Sequence, residues 1–340
     1  MSHSVYARIA ELLSSAQHIL LLTDERIDGD TLGSTLGLFH VLVKANKNVS
    51  VFSPKPLPPM FTFIPGVEHI VRDQNIFTDT TVDLIIVCDN SDGVYLPTLL
   101  KTMPYKVPVV CIDHHATNPH YGDINLIEPK APSTADVAYR LVRALNLPIS
   151  QSAAQCFLTG MCTDTILFST QHTNDTVMRL AGELLARGAR LKPIVQNTMM
   201  NKSMASMKLW GLALSRLSHD PELDATVTGI TEKDIQETGA TEDDIKSLSE
   251  YLNEVLDASH ETVAVYYEKP DGSLKGSLRS RTRDVATLAA QKFGGGGHKL
   301  AAGFKILNAR FQEVKSGIWK PISTAKVSEE STFPTPTLPE

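Results

Sequence analysis

The strongest constraint on the fold is a set of short apolar runs, each leading into an aspartate. Ile19 to Leu22 ends in Thr23-Asp24, Leu84 to Cys88 in Asp89, and Val107 to Ile112 in Asp113. Val49 to Phe52 reads as a further strand. A strand with one wet face alternates apolar and polar residues, whereas a strand covered on both faces is apolar throughout. A helix from Thr31 to about Lys44 separates the first two strands. The expected class is therefore α/β, with a doubly wound, mainly parallel sheet in the N-terminal part.

Val5, Ile9, Leu12 and Leu13 recur at helical spacing and predict an opening amphipathic helix. Ser133-x-x-Asp136 has the form of a capping box ahead of Val137, Leu141 and Val142. Helical patterns continue through Gln151 to Met161, Asp175 to Arg187 and Leu191 to Leu217. Pro221 interrupts a polar stretch from His219 to Asp224, where a domain boundary is expected. Beyond it, Val263 to Glu268 and Leu274 to Leu278 flank the hairpin turn Pro270-Asp271-Gly272-Ser273. Val285 to Phe293 predicts a helix leading into Gly294 to Gly297 and His298. These signals define a smaller C-terminal α/β domain. The expected divisions are 1–190, a helical linker at 191–222, 223–320, and a Pro-, Ser- and Thr-rich tail at 321–340 read as disordered.

With 340 residues the chain is too long for one ordinary core, so two domains are expected on length alone. A net charge of −6 argues against a broad basic surface for long nucleic acid, though not against short nucleotides, which need only a local patch. Cys88, Cys111, Cys156 and Cys162 show no Cys-x-x-Cys spacing and read as reduced thiols. No basic-then-apolar opening and no long apolar stretch occurs, so a cytoplasmic protein without a membrane span is expected.

The chemistry should lie where the apolar runs end. Asp28 and Asp30 follow the first run, Asp89 the third, and Asp113-His114-His115 the fourth. Ligands of an open parallel sheet gather at the carboxyl ends of its strands. Carboxylates collected there repel one another unless cations neutralise them. Oxygen and imidazole donors together suit Mn²⁺ or a similar divalent ion. An aspartate after a strand can also just cap the next helix; for all three places at once that explanation is weak.

Asp28-Gly29-Asp30-Thr31-Leu32-Gly33-Ser34, the strand end at Asp89, and Ile112-Asp113-His114-His115-Ala116-Thr117-Asn118 resemble the DHH phosphoesterase superfamily. So does Thr159-Gly160-Met161-Cys162-Thr163-Asp164-Thr165. Arg279-Ser280-Arg281 and Gly294-Gly295-Gly296-Gly297-His298-Lys299-Leu300-Ala301-Ala302-Gly303-Phe304 resemble that family's C-terminal associated domain. The likeness is greatest to the two-domain nanoRNase/pAp phosphatase branch, which is related to RecJ-type exonucleases. It implies a catalytic, metal-binding N-terminal domain, a substrate-binding C-terminal domain, and an active site in the cleft between them. It also implies two divalent cations, commonly Mn²⁺ with Mg²⁺ as the other candidate. Asp24, Asp28 and Asp89 would hold one, and Asp30, Asp89, His114 and Asp164 the other. His115 would meet the scissile phosphate or leaving oxygen, with Asp113 orienting a histidine. Arg279, Ser280, Arg281, Gly295, Gly296, Gly297 and His298 would contact substrate. The implied substrates are short oligonucleotides cut to 5′-mononucleotides, and pAp. A cyclic-dinucleotide phosphodiesterase and a nucleotide-binding module with weakened turnover stay open as alternatives. Dimers are common among the relatives, and no residue here decides for or against a homodimer. Family members usually carry histidine where this chain has Asp24, which leaves two roles for that residue: ligand, or cap of the turn before Asp28.

Overall fold

The computed structural model describes residues 2–324, except 171, 201, 247 and 258. The chain divides into two compact units, Met1–Asn201 and Lys202–Glu340.

The first unit contains α1 (Ser2–Ser15), β1 (His18–Leu22), α2 (Gly29–Lys44), β2 (Asn48–Phe52), β3 (Ile70–Val71), β4 (Leu84–Cys88) and α3 (Tyr95–Leu100). It continues with β5 (Val109–Asp113), β6 (Ile124–Ile127), α4 (Thr134–Ala144), α5 (Gln151–Asp164), α6 (Asp175–Ala186) and α7 (Leu191–Thr198). Its strands form a six-stranded sheet in the order β3-β2-β1-β4-β5-β6, parallel at every pairing, as the apolar runs predict. The runs are unbroken because each face has its own core. Ile19 and Leu21, with Leu84, Ile86, Cys88, Val110 and Ile112, pack against α2, α4 and α5. The intervening Leu20, Leu22, Ile85 and Val87 pack on the other face with Phe52, Phe77 and Leu96. Chain order reverses between β1 and β4, the switch point of a doubly wound sheet.

One helix contact sets the position of two acidic segments. Gly29, Gly33 and Gly37 recur every four residues on α2 and face α5. A Cβ on Gly33 would lie 2.6 Å from the Cys156 carbonyl oxygen and the Gly160 nitrogen. One on Gly160 would lie 2.5 Å from Ala135 Cβ and 2.7 Å from Asp30 Oδ1. The backbones therefore approach closely, which brings the start of α2 beside the end of α5.

The second unit opens with α8 (Met204–Ser215), β7 (Ser218–Asp220), β8 (Ala225–Ile230), α9 (Glu232–Thr238), α10 (Glu242–Lys246) and α11 (Leu248–Val255). Then come β9 (Thr262–Glu268), β10 (Leu274–Ser280), α12 (Val285–Phe293), β11 (Gly296–His298), β12 (Ala301–Ile306), β13 (Ala309–Lys315) and β14 (Ile318–Ser323). A mixed sheet runs β11-β12-β10-β9-β8-β7, and β13 with β14 forms a separate hairpin.

Several sequence expectations need adjustment. The polar stretch around Pro221 is not a boundary: it is the turn of the β7–β8 hairpin, with Asp224 in the left-handed region at φ 48°. The chain divides earlier, in the gap between α7 and α8, so Leu191 to Leu217 is two helices. Pro321 and Ile322, expected in the tail, belong to β14, paired with Phe311 and Arg310; the rest of that expectation, residues 325–340, lies outside the described residues. Half of the capping box forms. Ser133 Oγ accepts from the Asp136 N–H at 3.0 Å, but the Asp136 carboxylate turns to Arg140 at 2.8 Å. Among the described residues no helix is long and apolar enough to cross a membrane.

Candidate metal centre

The parallel register brings the ends of β1, β4 and β5 to one edge of the sheet, so Asp89 and Asp113-His114-His115 emerge together. Asp28 caps α2, its Oδ1 accepting from the N–H groups of Asp30 and Thr31 at 3.0 and 2.9 Å. The α2–α5 contact adds Asp164 from the last turn of α5. The result is two overlapping donor sets among the described residues. Asp89, His114 and His115 form one, and Asp30, His114 and Asp164 the other, each with its ligand atoms within 4.8 Å of one another. His114 Nε2 lies 3.5 Å from Asp164 Oδ2 and 4.0 Å from Asp89 Oδ1.

Hydrogen bonds to fixed acceptors settle the imidazole tautomers. His114 Nδ1 faces the Ala131 carbonyl at 3.2 Å. A carbonyl only accepts, so Nδ1 carries the proton and neutral His114 presents the Nε2 lone pair to the site. His115 Nδ1 donates to Asp113 Oδ1 at 2.8 Å, which leaves Nε2 as its outward atom. Asp113 is wholly buried. Its Oδ1 also accepts the His114 and His115 N–H groups at 2.7 and 3.0 Å, and its Oδ2 accepts Asn118 Nδ2 at 2.7 Å. Burial opposes its ionisation, but the bonds from His115 and Asn118 outweigh it and hold the carboxyl below its ordinary range. The bond to Asp113 in turn pushes His115 up to about 9.

The remaining carboxylates are crowded. Burial, then the charges of Asp89, Asp164 and Asp28, pushes Asp30 well above the ordinary carboxylate range. Burial and Asp28 do the same to Asp89, and burial raises Asp164. Buried carboxylates that repel one another, with imidazole nitrogen beside them, are a donor set suited to hard or borderline divalent cations. The residues present therefore fit a metal centre.

Asp24 stands apart from both donor sets. It is buried, and its Oδ1 accepts the Glu25 N–H at 2.5 Å and the Arg26 N–H at 3.4 Å, while Oδ2 pairs with the Arg26 guanidinium at 3.3 Å.

The candidate substrate residues all lie in the second unit and divide by environment. Arg281 Nη2 donates to the carbonyls of Leu256 and Asp257 at 2.8 and 2.9 Å, just past α11. Ser280 is buried, and its hydroxyl accepts from Thr262 Oγ1 and the Arg283 N–H at 3.2 and 3.0 Å. Arg279 is half-buried on β10, with Nη1 on Ser277 Oγ at 3.2 Å and the Leu278 carbonyl at 3.1 Å. The glycine run is not an open loop. Gly294 caps α12, Gly296 and Gly297 open the edge strand β11, and Gly295 between them lies so close to β12 that a Cβ there would sit 2.4 Å from the Gly303 carbonyl oxygen. Gly297, at φ 150°, would meet the Ala301 carbonyl at the same 2.4 Å. Gly296 faces open space, and His298 is exposed.

Sequence reasoning passed over two hydroxyls in this centre. Thr31 Oγ1 and Thr134 Oγ1 donate to the two oxygens of Asp89 at 2.7 and 3.0 Å. It also passed over the backbone that follows Asp164. Ile166, Leu167 and Phe168 all have left-handed φ, at 47°, 55° and 63°, and such strain in bulky residues concentrates at functional sites.

A doubly wound sheet that sets an Asp-His-His triplet and buried aspartates over its switch point is the frame of a metal-binding phosphoesterase. The chain belongs to the DHH family: residues 18–161 match the DHH family, N-terminal domain, and residues 227–322 match the DHHA1 domain. It is 29% identical over 303 residues to the bifunctional oligoribonuclease and PAP phosphatase NrnA of Thermus thermophilus, covering 87% of this chain and 86% of that one. The protein of the same name from Bacillus subtilis is 24% identical over 291 residues, covering 85% and 89%. An exopolyphosphatase-related protein from Bacteroides fragilis shares the fold, with a TM-score of 0.80 over 92% of this chain and 93% of that one at 23% identity.

Proposed function

We propose that this chain is a cytoplasmic hydrolase that cuts short oligoribonucleotides to 5′-mononucleotides and converts pAp to AMP, using two divalent cations, Mn²⁺ before Mg²⁺. The observation that carries the reading is the convergence of Asp30, Asp89 and Asp164 on His114, which both donor sets contain. The NrnA name borne by relatives matching most of the chain supports the substrate class. Asp30, Asp89, His114 and Asp164 would hold one ion, and Asp28 with Asp89 the other. Such ions, when bound, would lower the pKa of an attacking water and offset charge developing at phosphorus. The protein's own residues do the rest. The Ala131 carbonyl fixes the His114 tautomer so that Nε2 faces the site. The Asp113 carboxylate accepts from His115 Nδ1 and favours the imidazolium, whose second proton, on Nε2, can be given to the leaving oxygen. Arg279 and His298 are assigned to substrate phosphate. Ser280 and Arg281, which hold the turn after β10 and the end of α11, are not.

The test is turnover by chelator-treated protein reloaded with Mn²⁺, on di- to pentanucleotide RNA, pAp and longer strands. Release of 5′-mononucleotides from the short RNAs, faster than from strands of twenty or more nucleotides, is expected. Equal or better cleavage of the long strands would replace this reading with a RecJ-type exonuclease.

A further inference from the structure

Two carboxylates assigned to the ions are held by a single residue. Thr134, wholly buried, is the first residue of α4. Its backbone N–H donates to Asp30 Oδ2 at 2.6 Å, and its hydroxyl donates to Asp89 Oδ1 at 3.0 Å. The Ala135 N–H takes the other oxygen of Asp30 at 2.9 Å, and the Thr31 hydroxyl takes the other oxygen of Asp89 at 2.7 Å.

The Thr134 hydroxyl has no task in building α4. Ser133 already caps the helix through the Asp136 N–H, and the Asp30 carboxylate receives the N–H groups of the first turn. A carboxylate otherwise turns freely about its last torsion, which has broad minima. Here each oxygen of each carboxylate has a protein donor, and carboxylate oxygens keep a second lone pair that can face a cation. Because one donor pair comes from one residue on a capped helix, the relative placement of Asp30 and Asp89 is tied to a rigid element.

We propose that Thr134 is a positioning residue of the metal centre, whose hydroxyl and N–H hold Asp89 and Asp30 in a fixed relation so that the site is shaped before a cation arrives. This rests on the proposed metal centre. It adds a residue outside the ligand set, and it assigns the task to the hydroxyl and not to the methyl group.

The experiment is Mn²⁺ titration of metal-free protein by calorimetry, with thermal melting of the same samples. Thr134→Val keeps the shape and the N–H to Asp30 but removes the hydroxyl. Loss of a partner that orients a metal ligand typically lowers metal affinity about 10–100-fold, and that loss is expected here. Thr134→Ser, which restores the hydroxyl without the methyl group, should bind Mn²⁺ as the unaltered protein does. Thr134→Ala reads out the same loss if the valine variant does not fold. Unchanged affinity in a folded Thr134→Val or Thr134→Ala protein overturns the proposal. So does a serine variant as weak as the valine variant, since the methyl group would then matter. Absence of Mn²⁺ binding by the unaltered protein would instead strike the metal centre itself, and this proposal with it.

Discussion

Replacing Gly160 with alanine tests the link between helix packing and the metal centre. The added Cβ would lie 2.5 Å from Ala135 Cβ and 2.7 Å from Asp30 Oδ1. Carbon atoms in contact sit about 3.5–4.0 Å apart, so α5 must move away from α2 and α4 by about 1 Å. Overpacking of this kind costs about 1–3 kcal/mol. The greater helix propensity of alanine returns about 0.5–1 kcal/mol. A net loss of about 1–2 kcal/mol is expected, read as a lower midpoint in urea with an unchanged slope. The larger effect should be on function. Asp164 sits in the last turn of α5, its Oδ2 3.5 Å from His114 Nε2, and a shift of α5 by about 1 Å takes it out of the donor set it forms with Asp30 and His114. Misplacement of that size costs about 100-fold in turnover. The control is Gly182→Ala in α6, where an added Cβ meets nothing within 4 Å. That variant should gain about 0.5–1 kcal/mol and keep full activity. If Gly160→Ala matches Gly182→Ala in stability, Mn²⁺ affinity and turnover, the close approach of α2 and α5 does not shape the site.

Asp89→Ala removes a ligand assigned to both ions and should reduce turnover by orders of magnitude in a protein that still folds; near-normal activity after Mn²⁺ reloading would show the assigned site to be wrong. Asp24→Ala removes the acceptor for Glu25 and Arg26 and should cost about 1 kcal/mol of stability while the Mn²⁺ stoichiometry holds; calorimetry that counts one ion fewer would make Asp24 a ligand. Arg281→Ala leaves the Leu256 carbonyl without its donor, takes one of two donors from the Asp257 carbonyl, and should lower stability by about 1–3 kcal/mol with KM unchanged, whereas Arg279→Ala should raise KM. Mn²⁺ at about 100 times its Kd should stabilise the metal-free protein by about 2.7 kcal/mol, and a melting curve insensitive to Mn²⁺ would contradict the metal centre.

What could be read from the sequence follows from how local each cause is. The strands β1, β4 and β5 were legible because burial on two faces leaves long apolar runs, and Asp89 and Asp113 were legible as the first polar residues that end two of them. The hairpin of β7 and β8 was not, since Ser218-His219-Asp220 is polar and its pairing partner lies across Pro221. Short polar strands read as loops until a neighbour supplies the other half of the ladder. The glycine run was legible as a place of close backbone approach, but not the neighbour that demands it at Gly295 and Gly297, which is β12. Asp24 shows local chemistry competing with a shared site. The same carboxylate can ligate or can close its own turn, and here the Glu25 N–H and the Arg26 guanidinium are its partners. Thr134 is the hardest case. Ser133-x-x-Asp136 announces a helix start, yet the carboxylate that sits on that start comes from Asp30, 104 residues earlier. No local pattern can pair the two. The glycine face of α2, Gly29, Gly33 and Gly37, stood in the sequence at helical spacing and decides how near α5, with Asp164 at its end, comes. The metal centre is thus specified twice, once by the acidic residues at strand ends and once by small residues that let two helices touch, and only the first of these announces its chemistry.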